Sequence, residues 1–321
     1  MRSLLAKFGV SSVALAAAFG LASVAEAPYS LIPQERPVSV LFFGDLMLDR
    51  GVSTRAVGGA ELIAGVVPLA READLVVLNL EGTITRNESV AVQDHNVLRF
   101  TFDPTLTQSV LGALGVDAVS LANNHALDFY AAGHEETRAT LTRMGVASFG
   151  HPLNSQSIST MLVHDEWRIC LVGYHELFDP SIASVVAEVA RLKPVCDKVV
   201  VVTHWGVEYE AAPSASQVAH AHAFVDAGAD LIVGAHPHVV EPVEVYRGRA
   251  IVYSLGNFVF DQDFSWETTH GLALSVRFSK NETRLTLLPL AIPRSHPTPA
   301  LGEEGGRVLQ AAGGVDTFIL P

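Results

Sequence analysis

The chain has 321 residues, 49% of them hydrophobic, enough to bury one large core or two small ones. Lys and Arg total 21 against 34 Asp and Glu, a formal charge of −13. That excludes the basic, phosphate-tracking surface of a nucleic-acid binder, so no nucleic acid is expected as partner.

Residues 1–27 read as a signal peptide or an uncleaved anchor. Arg2 and Lys7 give the charged start, Phe8 to Ala25 carries no charge, and Ser23, Ala25 and Ala27 suit cleavage. The same run is about long enough to span a thinned bilayer. The localisation expected is therefore outside the cytoplasm: periplasmic, extracellular or anchored by the N-terminus. A Pro-containing linker follows over 28–37.

From there, apolar strands and helices alternate. Strands are expected at Val38–Phe43, Asp74–Leu80 and Asp117–Leu121, with helical spacing over Gly58–Arg71, Pro104–Leu114 and Ala132–Met144. Arg86–Asn96 is polar and reads as a loop. Strands at Arg168–Gly173 and Lys198–Thr203 alternate with helices at Ile182–Leu192 and Ser214–Ala227, and a further strand starts at Asp230. Such alternation implies an α/β sheet covered on both faces. Val243–Tyr246, Ala250–Tyr253, Gly271–Phe278 and Thr283–Leu288 are short and turn-separated, which predicts an antiparallel second sheet. Residues 294–321 are rich in Pro and Gly and are expected to form a loosely held tail. Cys170 and Cys196 form no CxxC motif; disulfide pairing and burial as free thiols are both open.

Five of the apolar strands end in groups of metal-ligand type: Asp45, Glu81 with Asn79, Asn124-His125, His204, and His236 with His238. Ligands gather at the carboxyl ends of strands in such sheets, so these groups are expected to converge. Pro237 stiffens the His-Pro-His tip; if the tip is extended, its two imidazoles point the same way. Carboxylate, carboxamide and imidazole together suit one or two Mn, Zn or Fe ions better than Ca. Glu81 is the natural bridging carboxylate of a two-metal site. Arg50 either holds an anionic group or pairs with a carboxylate. Asn257 and Asp261 are placed to orient a histidine, and Asn257 is also a candidate substrate contact. Asp128 either orients His125 or caps the helix that follows. His220 and His222 read as ordinary helix residues, and His134, His151 and His175 have no supporting sequence neighbours.

The segments GDLMLDRG (44–51), NLEGTIT (79–85), SLANNHALDFY (120–130), THWGVEYE (203–210) and GAHPHVVEPVEVYRGRAIVYSLGNFVFD (234–261) resemble the motif series of the CapA family of capsule-biosynthesis proteins. The family is associated with poly-γ-glutamate capsules and is similar in fold to the calcineurin-like metallophosphatases. The resemblance covers roughly 38–293. It implies a four-layer αββα sandwich of two mixed sheets flanked by helices, and a metal-dependent hydrolase cutting a phosphoester or γ-glutamyl bond. The alternative is a non-catalytic assembly or polymer-binding factor on the same scaffold. The implied partners are an anionic polymer or phosphoester substrate and a membrane-bound capsule synthase. Carried over by position, Asp45, Glu81 and His238 hold a first metal, and Glu81, Asn124, His204 and His236 hold a second. His125 becomes the substrate-facing acid, with Asp128 behind it. Where the phosphatases have Asp-x-His, this chain has Met47, so the first metal is expected to be held less tightly.

Overall fold

Along the strand Val38–Leu46, Val38, Val40 and Phe42 enter one apolar cluster while Leu41 and Phe43 enter another. Successive side chains of a strand point to opposite faces, so this strand is covered on both sides. Lys198–His204 shows the same division, with Val200 and Val202 on one side and Val199 and Val201 on the other. The cluster that holds Val40, Phe42, Val200 and Val202 lies between two sheets. The outer cluster of the first sheet is closed by Val110, Leu111 and Leu114 of the helix Pro104–Leu114 and by Leu141 of Tyr130–Met144. The outer cluster of the second is closed by Val185 and Val189 of Ala183–Leu192 and by Ala221 and Phe224 of Ala215–Ala227. The result is the expected helix–sheet–sheet–helix sandwich.

The computed structural model describes residues 36–56, 58–94 and 96–321. The expected signal or anchor at 1–27 lies outside them, as does the linker up to residue 35. Among the described residues, the first sheet has nine strands and the second six. The first runs Thr298–Pro299, Thr283–Ala291, His270–Phe278, Val38–Leu46, Leu75–Leu80, Ala118–Ser120, Ala147–Phe149, with Asn257–Val259 also paired to Val38–Leu46 and Thr317–Leu320 to Thr283–Ala291. The second runs Val243–Tyr246, Arg249–Val252, Leu231–Ala235, Lys198–His204, Trp167–His175, Ser159–His164. Both are mixed.

The separate antiparallel sheet expected after residue 242 does not form. His270–Phe278 and Thr283–Ala291 return to the first sheet, where His270–Phe278 lies antiparallel to Val38–Leu46. Val243–Tyr246 and Arg249–Val252 extend the second sheet, with Arg249–Val252 parallel to Leu231–Ala235. Nor are residues 302–320 a loose tail. Gly302–Ala311 is a helix whose Val308 enters the core between the sheets, and Thr317–Leu320 pairs with Thr283–Ala291. Cys170 and Cys196 are disulfide-bonded with Cα atoms 6.0 Å apart, which settles the alternative left open above.

One close approach shapes the site. A Cβ on Gly44 would lie 1.9 Å from the carbonyl oxygen of Gly256. Because Gly44 has none, the SLGN turn packs against the end of the first strand, and Asp45 N–H donates to Gly256 O at 3.2 Å. No helix among the described residues is long and apolar enough to cross a membrane.

Candidate metal centre

The strand ends converge. Asp45, Asn79, Glu81 and Asn124 come from the first sheet and His204, His236 and His238 from the second. Asn79 donates its amide to Asp45 Oδ1 at 2.7 Å and lies 3.2 Å from His204 Nδ1. Asn123, which carried no expectation, donates to Asn79 Oδ1 at 3.1 Å and to Leu80 O at 2.8 Å, and so orients Asn79. His204 Nε2 lies 2.7 Å from Asn124 Oδ1 and 3.1 Å from His236 Nδ1. Such separations are those of neighbouring donor atoms around one ion with bonds of about 2.0–2.2 Å.

Asp45, Glu81 and His238 form a second group whose ligand atoms all lie within 4.8 Å of one another. His238 Nδ1 is 3.5 Å from Asp45 Oδ2, and its Nε2 is 3.8 Å from Glu81 Oε1. Its ring is held by Asn257, whose Oδ1 is 2.9 Å from Nδ1. Asn257 was a candidate substrate contact, but the structure buries it completely. Its amide donates to Gln262 Oε1 and Thr268 O at 3.0 and 2.9 Å.

The His-Pro-His tip is not extended. His236 and His238 take φ of 98° and 60°, a region non-glycine residues rarely occupy. Two hydrogen bonds hold it there: His236 N–H to Asp45 Oδ2 at 3.2 Å and Tyr209 N–H to Pro237 O at 2.8 Å. The imidazoles still converge, with ring centroids 5.9 Å apart.

Burial sets the electrostatics. Glu81 is 0% exposed and neither of its carboxylate oxygens has a hydrogen-bond partner. Desolvation, reinforced by Asp45 and opposed by His238, pushes its carboxyl well above the usual range. Desolvation and the neighbouring His236 hold His204 well below the ordinary imidazole value. Desolvation and His238 bring His236 down to about 3. His238 goes the other way, to about 9: burial depresses it, but Glu81 and Asp45 outweigh burial. A buried carboxylate with both oxygens orphaned is costly unless a positive charge faces it. With the depressed imidazoles of His204 and His236 and the carboxamide of Asn124 at the same centre, that observation fits a divalent cation.

A cleft of about 330 Å³ opens onto Glu81, His125 and His238. His125 Nδ1 lies 2.8 Å from Asp128 Oδ2, and its Nε2 is 3.9 Å from Glu81 Oε1. Asp128 thus orients His125, and its Oδ2 also accepts from Phe100 N–H at 2.7 Å. Arg50 lines the cleft over the Phe100 ring, 4.8 Å from its centroid, and pairs with Asp261. Met47 is wholly buried in the apolar cluster beneath the first sheet's helices, and its Sδ accepts from Asp49 N–H at 3.1 Å.

Two residues escaped sequence reasoning. Glu208 forms a third ligand-grade group with His236 and His238. It stands four positions after His204 in the quoted THWGVEYE motif, and that was its only signal. His175 ends its strand in register with His204; its Nδ1 lies 2.8 Å from Pro152 O, and its Nε2 is buried without a partner.

The fold is shared with solved structures. A hypothetical protein from Thermus thermophilus superposes with a TM-score of 0.50 at 20% identity, over 88% of this chain and 100% of that one. A Staphylococcus aureus protein provisionally assigned as a 5′-nucleotidase superposes with a TM-score of 0.51 at 12% identity, over 86% of this chain and 58% of that one. What is shared is the fold, two mixed sheets packed face to face and covered by helices. Residues 39–262 match the family described as bacterial capsule synthesis protein PGA_cap, and the chain belongs to that family. Among its relatives are the PGA biosynthesis protein CapA of Bacillus subtilis, 32% identical over 88% of this chain and 79% of that one, and the capsule biosynthesis protein CapA of Bacillus anthracis, 30% identical over 90% and 76%.

Proposed function

We propose that the protein is a metal-dependent hydrolase acting outside the cytoplasm in assembly of a poly-γ-glutamate capsule. The observation that carries the reading is Glu81, a buried carboxylate with both oxygens unpartnered among Asp45, His204, His236, His238 and Asn124. Asp45, Glu81 and His238 would hold one divalent ion, and Asn124, His204 and His236 another. A bound ion supplies Lewis-acid polarisation of the scissile phosphoester or γ-glutamyl centre. His125, held through Nδ1 by Asp128, presents Nε2 toward Glu81, where it can pass a proton to the leaving group. Arg50 gives the cleft a cation for an anionic substrate, which matters because the chain as a whole, at −13, repels one.

The exported location rests on the charged start and apolar run of residues 1–27. The Cys170–Cys196 disulfide agrees with an oxidising compartment. A membrane-bound capsule synthase is the partner this location would serve. The test is metal content of the purified chain together with hydrolysis of a generic phosphoester and of poly-γ-glutamate, before and after chelation. Metal-dependent cleavage of either supports the reading. Bound metal without cleavage of either favours the non-catalytic assembly factor, a reading for which Met47, in place of an imidazole ligand, is the observation.

A further inference from the structure

We propose that Glu208 is a ligand of the more weakly held of two divalent cations, supplying on the open side of the centre the donor that Met47 does not. The inference rests on the metal-centre reading above and adds a residue to it. Glu208 Oε1 lies 3.9 Å from His238 Nε2, the same nitrogen that lies 3.8 Å from Glu81 Oε1. Its ligand atom and those of His236 and His238 are all within 4.8 Å of one another. His238 therefore stands between two carboxylates, one fully buried and one with a side chain 42% exposed. The buried one has no hydrogen-bond partner for either oxygen, and the nearest ring nitrogens, of His238 and His125, stand 3.8 and 3.9 Å from it, which leaves room for an ion between them.

The loop that carries Glu208 is pinned. Tyr209 N–H donates to Pro237 O at 2.8 Å, which ties it to the His-Pro-His tip. Tyr209 itself has φ 66°, and its hydroxyl accepts from Gln262 Nε2 at 3.1 Å. Its ring packs on His238 and Phe264 at centroid distances of 6.1 and 5.2 Å. These contacts hold the neighbouring Glu208 at the cleft mouth, where it lines the same cavity as Glu81 and His238. A carboxylate is a better donor than a thioether for a hard or borderline ion. Glu208 would be the exposed donor beside the buried Asp45, Glu81 and His238, and so the first to let the ion go.

The test is to titrate the metal-depleted full chain with Mn²⁺, counting free ion by electron paramagnetic resonance, and to repeat it with Zn²⁺ against a chelating dye. The unmodified chain is expected to bind two ions of unequal affinity. Glu208→Gln should weaken the second ion tenfold or more and leave the first unchanged. Glu208→Asp, which keeps the charge at shorter reach, should fall between. Thermal melts without metal should match for all three, because the side chain is exposed. A Glu208→Gln protein that binds both ions as the unmodified chain does overturns the inference. A single ion in the unmodified chain overturns it and leaves the proposed function standing; no ion of either kind overturns both.

Discussion

His125 Nδ1 and Asp128 Oδ2 meet at 2.8 Å, three residues apart in the loop that follows Ala118–Ser120. A carboxylate there fixes the ring so that Nε2 faces the cleft. Asp128→Asn keeps the size and can still accept from Phe100 N–H, but loses the charge. The expected result is a fall in turnover on the order of 10²-fold, the range for a positioned acid–base group, with bound metal unchanged by elemental analysis. Loss of metal along with activity would place Asp128 among the groups that build the centre instead.

His236 makes a prediction that separates backbone from ligand. Its φ of 98° suits glycine, and its imidazole lies 3.1 Å from His204. Both His236→Ala and His236→Gly should abolish the tightly held ion, as read by metal analysis. In metal-free protein the Gly variant should be the more stable by about 1 kcal/mol, since only Ala keeps the strained φ. Equal melting of the two would show that the strain is not stored there.

Glu241 predicts a pH dependence of stability. It is 0% exposed; Gln217 donates to Oε2 at 2.8 Å, and Oε1 is unpartnered. Burial pushes its carboxyl up to about 7, with the Gln217 hydrogen bond pulling the other way. The folded state then binds the proton more tightly than the unfolded chain, whose value is near 4.5. Stability from this group is full below pH 4.5 and declines as pH rises toward 7. At about 1.4 kcal/mol per unit, Glu241→Gln should be more stable than the unmodified chain at pH 8 by about 3 kcal/mol, with the gap closing by pH 4. Chemical denaturation at the two pH values checks this.

The disulfide closes a segment of 26 residues that includes the helix Ala183–Leu192. Loop-closure entropy for such a length corresponds to about 3 kcal/mol. Cys170→Ser with Cys196→Ser should lower the melting temperature while leaving the metal count intact, because neither sulfur is among the ligand groups. An unchanged melt would show that the unfolded chain gains nothing from opening the loop.

Most of the centre was legible because strand ends are local features: an apolar run that stops at Asp45, at Glu81, at His204 or at His236 is visible without its neighbours. Glu208 was missed since it belongs to a loop, and only the fold of that loop over Pro237 brings it back. His175 was set aside for want of sequence neighbours; its partner is His204, one strand over, and register is not written locally. The same limit explains the misplaced sheet. His270–Phe278 carries the alternation of a strand, but nothing in it names Val38–Leu46 as its partner. Arg50 held two expectations, and the structure shows the second, pairing it with Asp261 at the cleft wall.

The donors at the centre divide between the two sheets, and the hydrogen bonds that link them across the gap include Asn79 to His204 at 3.2 Å, Asn124 to His204 at 2.7 Å, and Asp45 to the backbone of His236 at 3.2 Å. A cation held from both sides would rivet one sheet to the other, so its affinity would depend on how well the two layers are packed. A substitution deep in the shared core, such as Phe42→Ala, lies on a strand whose far end carries Asp45. Such a change would loosen the ion without touching a single donor, and added metal would in turn restore part of the lost stability.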